Sequence, residues 1–171
     1  MLSSAHAKLA INCAVNAATA LIDDRNGSLI SPYARPFLEA VTAEVASVLA
    51  AGTTRESIAR MVDCPAFLDS EQALTARQLL DATLGVIEAT RENESSTLTD
   101  VRRINSGPVP PAGESDGSSS PWTELDHING HLSRLGRVCG IATPLNDALY
   151  ALVNAKCDTL AHRRAQAAAT V

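Results

Sequence analysis

Aromatic side chains are scarce in this 171-residue sequence, which has one Trp, two Tyr and two Phe, or 3% of the chain. Hydrophobic residues nevertheless make up 46% of it, so small and aliphatic side chains, mainly Ala and Leu, must fill any core. The strict alternation of apolar and polar residues that is typical of half-buried strands is also missing. The composition therefore predicts an all-α domain packed from aliphatic helices.

Long hydrophobic runs, basic patches and paired cysteine motifs are lacking as well. Without an uncharged apolar run of about 18 residues we expect no transmembrane helix and no membrane partner, and the N-terminus shows no signal-peptide pattern. The net charge of −5, with no basic stretch that contains aromatics, argues against a nucleic-acid partner. The four cysteines form no CxxC motif, which favours a reducing, cytoplasmic location.

A row of polar residues interrupts the apolar stretch KLAINCAVNAATAL at positions 8–21. Lys8, Asn12 and Asn16 recur at every fourth position, and each step advances about 40° around a helix, so they share one face. An unpaired buried amide or ammonium is costly, and the row therefore needs a partner. Two interpretations stay open: the groups cap neighbouring helices while Lys8 reaches the surface, or they bind a small oxygen-rich substrate, with Lys8 as a proton donor.

Apolar spacing predicts five main helices and two short ones, with Ser, Thr, Pro and Gly marking their ends. Gly27 is expected to take a left-handed conformation in the turn after the first helix. The main helices are predicted over residues 4–22, 32–51, 71–90, 122–139 and 144–166, and the short ones over 54–62 and 97–103.

Composition changes abruptly over residues 104–121, which hold four Pro, three Gly and five Ser. Such a segment buries too little apolar surface to order itself, so we expect a flexible loop. The sequence thus predicts one helical domain over residues 1–166, interrupted by this loop, and a frayed tail over 167–171.

Other candidate site residues have simpler explanations from the sequence alone. Glu124 lies in the first turn of the predicted helix 122–139, where the helix dipole favours a carboxylate, and Ser96 belongs to a Ser-Ser pair expected to cap a helix. His127 and His131 lie one turn apart, but no third or fourth ligand is evident, so no metal site is assigned. No GxGxxG or GxxxxGK[ST] motif occurs, and no cofactor-binding residue is assigned.

Four segments of the sequence carry a recognisable pattern: KLAINCAVNAATAL at 8–21, NGSL at 26–29, SSTLTDVRR at 95–103 and TELDHINGHLSRLGRVCGIATPLNDALYALVNAK at 123–156. The last segment is the most specific, with its E-L-D-x-I-N-G start and G-I-x-T-P-x-N end. In this order the four segments resemble the C-terminal domain of ketopantoate reductase (2-dehydropantoate 2-reductase), one of the 6-phosphogluconate dehydrogenase-like helical domains.

The resemblance implies a substrate-binding domain for NADPH-dependent reduction of 2-dehydropantoate, a small 2-keto acid, in pantothenate biosynthesis. The family's catalytic lysine matches Lys8, and its catalytic glutamate matches Glu124, with which the lysine would form an ion pair. The family's substrate-binding asparagines and serine match Asn12, Asn16 and Ser96.

Two departures from the family pattern leave alternatives open. The family's N-terminal Rossmann domain is absent from this sequence, so a cofactor domain is expected as a separate partner, or else the chain pairs with itself. The alternative is a non-catalytic helical binding or dimerisation module derived from the same fold. The linker before Glu124 is also longer than in the family, and it either displaces Ser96 from the site or bulges into solvent.

Overall fold

A computed structural model describes residues 4–52, 74–106 and 122–169. Over these ranges the chain forms six α-helices and two 3-10 turns, with no strand, which confirms the predicted all-α class. None of the described helices is long and apolar enough to cross a membrane. The elements are α1 Ser4–Ile22, the turn Asn26–Leu29, α2 Arg35–Gly52, α3 Ala76–Ala89, α4 Ser96–Ser106, the turn Glu124–His127, α5 Asn129–Cys139 and α6 Pro144–Ala169.

Helix α1 is the centre of the structure and packs against α2, α3, α4 and α6. Alanine strongly favours a helix, and its small side chain lets neighbouring helices approach closely. Large aliphatic side chains from the surrounding helices then complete the core. The buried small residues of α1 are Ala10, Cys13, Ala14, Ala17, Ala18 and Ala20, and the fully buried aliphatics include Leu38, Leu49, Leu79, Ile87, Leu98 and Leu132.

Two helices begin later than the sequence predicts. Residues 31–34 form a turn, in which Ser31 O accepts the N–H groups of Ala34 and Arg35, so α2 starts at Arg35. Helix α3 starts at Ala76 because Thr75 forms a capping box with Gln78, with both reciprocal hydrogen bonds present. The short helix predicted over 54–62 lies outside the described residues.

The predicted helix 122–139 is wrong, because the chain breaks it at Ile128. Thr123 caps the 3-10 turn Glu124–His127, Ile128 leaves helical geometry with φ −110 and ψ −94, and α5 begins at Asn129. Apolar residues three apart fit a 3-10 turn as well as an α-helix, so periodicity did not reveal the break. Glu124 therefore belongs to a separate turn that precedes α5.

Backbone conformation in the loops also differs from expectation. The left-handed residue after α1 is Asp23, with φ 62, whereas Gly27 has no positive φ. Gly27 N–H donates to Arg91 O at 2.9 Å, and a Cβ at this position would lie 2.9 Å from the same oxygen. A close backbone approach, rather than an unusual torsion, requires this glycine. Gly140, with φ 71, ends α5 as the sequence predicts.

Two predicted flexible segments are partly helical. Helix α4 continues to Ser106 because Ile104 is buried in the core and its carbonyl accepts a hydrogen bond from Arg164 Nη1 at 2.8 Å. The loop therefore starts later than residue 104, and residues 107–121 lie outside the described ranges. Helix α6 reaches Ala169 through an alanine-rich end, which explains why 167–169 are not frayed.

Asp126 fastens the turn Glu124–His127 to the two helices that follow it. Its side chain is only 10% exposed, and it accepts hydrogen bonds from Arg134 Nη1 at 3.0 Å and from Tyr150 Oη at 3.2 Å. Burial by itself would raise the pKa of Asp126, but the hydrogen bonds and charge of Arg134, with the Tyr150 hydroxyl, bring the pKa below its ordinary value. The ionised carboxylate is thus part of the folded structure.

A pair of glycine substitutions tests the backbone account. Gly27→Ala should lower the free energy of unfolding by about 1–3 kcal/mol, because its Cβ would press on the Arg91 carbonyl. Gly85→Ala lies within α3 with nothing near its Cβ, and it should raise stability by about 0.5–1 kcal/mol. Urea unfolding of both variants measures the difference, and equal effects would contradict the contact at Gly27.

Asp126→Asn should lower the free energy of unfolding at neutral pH by about 1–3 kcal/mol, because it removes a charge-assisted hydrogen bond. Since the folded pKa is lowered, this contribution is present above the ordinary pKa of 3.8 and is lost as the pH falls through the folded pKa. Urea unfolding from pH 7 to pH 2.5 should therefore show the two proteins converging. The exposed Asp81→Asn variant, which loses only the surface pair with Arg77, serves as the control.

Candidate functional site

The polar row of α1 changes from buried to exposed along the helix. Asn16 is buried, Asn12 is half-buried and Lys8 is exposed. At about 1.5 Å per residue the row covers about 12 Å. It therefore runs from the interior of the bundle to the surface, and its open end lies at the N-terminal part of α1.

Three of the predicted site residues meet beside the buried end of this row, where Asn16 is buried but Ser96 and Glu124 are exposed. Asn16 Nδ2 donates to Ser96 Oγ at 3.2 Å, and Ser96 Oγ donates to Glu124 Oε1 at 2.5 Å. These residues come from α1, from the first position of α4 and from the turn Glu124–His127. The fold thus joins, in one chain of hydrogen bonds, side chains that are 80 and 28 positions apart.

Lys8 and Asn12 are not members of this hydrogen-bonded chain. The ion pair expected between Lys8 and Glu124 does not form in the described structure, where Glu124 instead accepts the Ser96 hydroxyl. An exposed lysine keeps its hydration, so it gains little from a surface ion pair. The Lys8 ammonium on α1 and the Glu124 carboxylate in the turn Glu124–His127 consequently do not contact each other.

The adjacent Ser95 caps α4, which leaves the Ser96 hydroxyl to bond other residues. Ser95 Oγ accepts the N–H of Leu98 at 3.1 Å, which caps α4, and it hydrogen-bonds Thr19 Oγ1 of α1 at 2.7 Å. Ser95 therefore both caps α4 and holds it on α1. The Ser96 side chain does not cap the helix and instead bonds Asn16 and Glu124, so the long linker before Glu124 has not separated these residues.

Asp100 is a half-buried carboxylate whose charge interacts with that of Glu124, and the sequence prediction did not select it. It lies one helical turn beyond Ser96 on α4, and it pairs with Arg103 at 3.4 Å. Burial raises the pKa of Asp100, the charge of Glu124 raises it further, and Arg103 opposes both. The i, i+4 spacing from Ser96 is a signal that would have suggested it, because such residues share a helix face.

The described residues contain no group of three or more His, Cys, Asp or Glu side chains suited to a metal ion. His127 is exposed and His131 half-buried. Burial lowers the pKa of His131, and the nearby Arg134 adds to this effect. Asp126, which lies beside His127, is already engaged by Arg134 and Tyr150.

Asn16, Ser96 and Glu124 join an amide, a hydroxyl and a carboxylate, and the same row of α1 carries the Asn12 amide and the Lys8 ammonium toward its N-terminus. Amides and hydroxyls both donate and accept hydrogen bonds, so they suit a small ligand that carries several oxygens. The described helices offer no strand-to-helix turn of the kind that binds a dinucleotide pyrophosphate.

Comparison with known families matches nearly the whole chain. The profile described as "Ketopantoate reductase PanE/ApbA C terminal" matches residues 1–107 and 118–157. The positions that it passes over, 108–117, lie in the Pro-, Gly- and Ser-rich segment. Residues 108–117 are thus an insertion relative to the family pattern, in agreement with the longer linker that precedes Glu124 in the sequence.

Curated relatives carry the same family name. The 2-dehydropantoate 2-reductase of Pyrobaculum aerophilum is 34% identical over 150 residues, which are 87% of this chain and 41% of the relative. The 2-dehydropantoate 2-reductase of Vibrio cholerae is 35% identical over 143 residues, or 84% of this chain and 37% of the relative. The chain therefore spans about two fifths of the length of these relatives.

A solved structure shares the fold. It is the ternary structure of D-mandelate dehydrogenase with NADH and anilino(oxo)acetate, with a TM-score of 0.66 and 22% identity. The similarity covers 92% of this chain and 41% of that one, and at this identity it concerns the fold alone. Taken with the profile match and the curated relatives, it leads to one assignment: this chain belongs to the ketopantoate reductase family and corresponds to its C-terminal domain.

Proposed function

We propose that this chain is the substrate-binding domain of an NADPH-dependent 2-dehydropantoate 2-reductase. The observation that carries the proposal is the hydrogen-bonded chain Asn16–Ser96–Glu124, next to a polar row that ends in an exposed lysine. The printed names of the relatives supply the reaction. Their match to nearly the whole chain makes the same substrate class the natural expectation.

In this proposal Lys8 is the proton donor. Reduction of a 2-keto acid adds a hydride to the carbonyl carbon and a proton to the carbonyl oxygen, which yields a 2-hydroxy acid. The Lys8 ammonium would give its proton to that oxygen and then recover one from solvent, to which it is exposed. General acid catalysis of this kind contributes about 10²- to 10⁴-fold to a rate.

The remaining groups would bind and orient the keto acid. Asn12 and Asn16 offer amide donors along α1, while the Ser96 hydroxyl, held by Glu124, offers a third polar contact. Glu124 is also an acceptor for the terminal hydroxyl of 2-dehydropantoate. Fixed donors and acceptors hold the carbonyl beside Lys8, and such positioning supplies part of a rate enhancement.

The hydride donor would be held outside this domain. NADPH supplies a hydride in such reductions, but the described helices do not form a site for its pyrophosphate. We therefore propose a Rossmann domain, in the same protein or as a separate chain, as the partner. It would face the N-terminal part of α1, where Lys8 is exposed.

Binding to this chain alone tests the substrate half of the proposal. Isothermal titration should show one site for 2-dehydropantoate, and Ser96→Ala or Asn16→Ala should weaken the affinity about tenfold, because each removes a hydrogen bond. Asn105→Ala, an exposed asparagine at the end of α4, is the matched control and should bind normally. Equal affinity in all four proteins would exclude this site.

Turnover tests the catalytic half. The chain combined with the cofactor domain of the Vibrio cholerae relative should oxidise NADPH when 2-dehydropantoate is present. Lys8→Ala should lower kcat about 10²-fold or more, because the carbonyl oxygen loses its proton donor. Absence of turnover by the unmodified combination, although the keto acid binds, would favour a non-catalytic binding module.

A further inference from the structure

A buried relay of polar side chains crosses the bundle next to α1. Glu44 of α2 accepts the backbone N–H groups of Leu145 at 2.8 Å and Asn146 at 3.0 Å, and also Asn146 Nδ2 at 2.7 Å. Asn129 Nδ2 donates to Asn146 Oδ1 and to Cys13 O, both at 3.0 Å. Asn129 and Asn146 are both completely buried. Four helices, α2, α6, α5 and α1, are therefore connected through polar contacts.

The chemistry of this relay determines the orientation of each amide. An ionised carboxylate only accepts hydrogen bonds, so Asn146 must turn its NH₂ group toward Glu44 and its Oδ1 toward Asn129. That oxygen also only accepts, and so does Cys13 O, so Asn129 must present its NH₂ group to both. An aspartate at position 129 would place acceptors against acceptors, and a leucine would leave Asn146 Oδ1 without a donor.

Asn129 connects the relay to the candidate site in two ways, through the carbonyl that it bonds and through its own position in the chain. Cys13 lies next to Asn12 and one turn before Asn16, so its carbonyl belongs to the helix segment that carries the polar row. Asn129 is the first residue of α5, directly after the break at Ile128 that follows the turn bearing Glu124. A single side chain thus ties the segment that follows Glu124 to the helix that carries Asn12 and Asn16.

We infer that Asn129 is a positioning residue that sets the location of Glu124 relative to Ser96 and Asn16. The turn Glu124–His127 has only four residues and leads into non-helical backbone at Ile128. The Asp126 contacts with Arg134 and Tyr150 hold the turn to α5 and α6, whereas the Asn129 contact with Cys13 O holds it to α1. Without the second contact, the turn and α1 lose their fixed spacing.

A double-mutant cycle separates positioning from simple stabilisation, and it needs no turnover. Ser96→Ala in the unmodified background should raise the unfolding equilibrium constant about fivefold, because it removes the bonds to Asn16 and Glu124. In the Asn129→Ser background the same change should matter only about twofold, because the bond to Glu124 is already broken and only the bond to Asn16 is left to lose. Urea unfolding of the four proteins measures this difference.

A control cycle uses Thr75→Ala, which removes the cap of α3 and shares no partner with Asn129. Its effect should be the same in both backgrounds, as expected of independent sites. A Ser96→Ala effect that is likewise unchanged by Asn129→Ser would overturn the inference and leave Asn129 as a stabilising residue only. If Asn129→Ser does not fold, Asn146→Ser takes its place in the cycle. This variant interrupts the same relay at the neighbouring side chain, one hydrogen bond further from the candidate site.

The effect of Asn129 on catalysis rests on the proposed function, and it is measured separately through KM and kcat. In the combined enzyme, Asn129→Ser should raise KM for the keto acid more than it lowers kcat, because Lys8 is unaffected while Glu124 shifts. If the unmodified combination shows no turnover, the proposed function fails, yet the cycle still reports on Asn129. Conversely, if the combined enzyme is active but its Asn129→Ser variant keeps the same KM and shows no coupling to Ser96→Ala, the positioning role of Asn129 is contradicted and the proposed function is not.

Discussion

The close packing of α1 is the constraint on which the rest of the structure depends. Its buried positions include five alanines and one cysteine, whose small side chains let α2, α3, α4 and α6 all contact it. Protein interiors are packed as densely as organic crystals, and a larger side chain on this face would push a neighbouring helix outward. The same closeness brings Ser96 of α4 within hydrogen-bond reach of Asn16. Site geometry is therefore a consequence of core packing.

Polar groups around α1 are arranged as two connected systems, one that leads from buried Asn16 to exposed residues and one that is largely buried. On one side Asn16, Ser96 and Glu124 form the candidate site, and on the other Glu44, Asn146 and Asn129 reach the Cys13 carbonyl. Buried polar groups are costly when unpaired, so such relays specify one arrangement of helices rather than merely adding stability. Lys156 adds a further tie, since its Nζ donates to Ala20 O near the end of α1.

The segment between α4 and the turn Glu124–His127 shows how the family pattern tolerates an insertion. The profile passes over residues 108–117, but Ser96 and Glu124 on its two sides remain hydrogen-bonded. Extra loop length adds little to the entropy of closing a loop. The site is instead held by contacts that lie outside the insertion, namely the Ser95–Thr19 bond and the contacts of Asp126.

The sequence by itself determined the all-α class, the approximate range of α1 and the common face of Lys8, Asn12 and Asn16, because helical periodicity and end signals are local. Its resemblance to ketopantoate reductase also selected Ser96 and Glu124. Only the tertiary structure decided that Glu124 bonds Ser96 rather than Lys8, that helix 122–139 breaks at Ile128, and that Asp100 and Asn129 belong near the site. Those features depend on contacts between residues far apart in the chain. Periodicity does not record such contacts, because a spacing of three fits a 3-10 turn and an α-helix equally well.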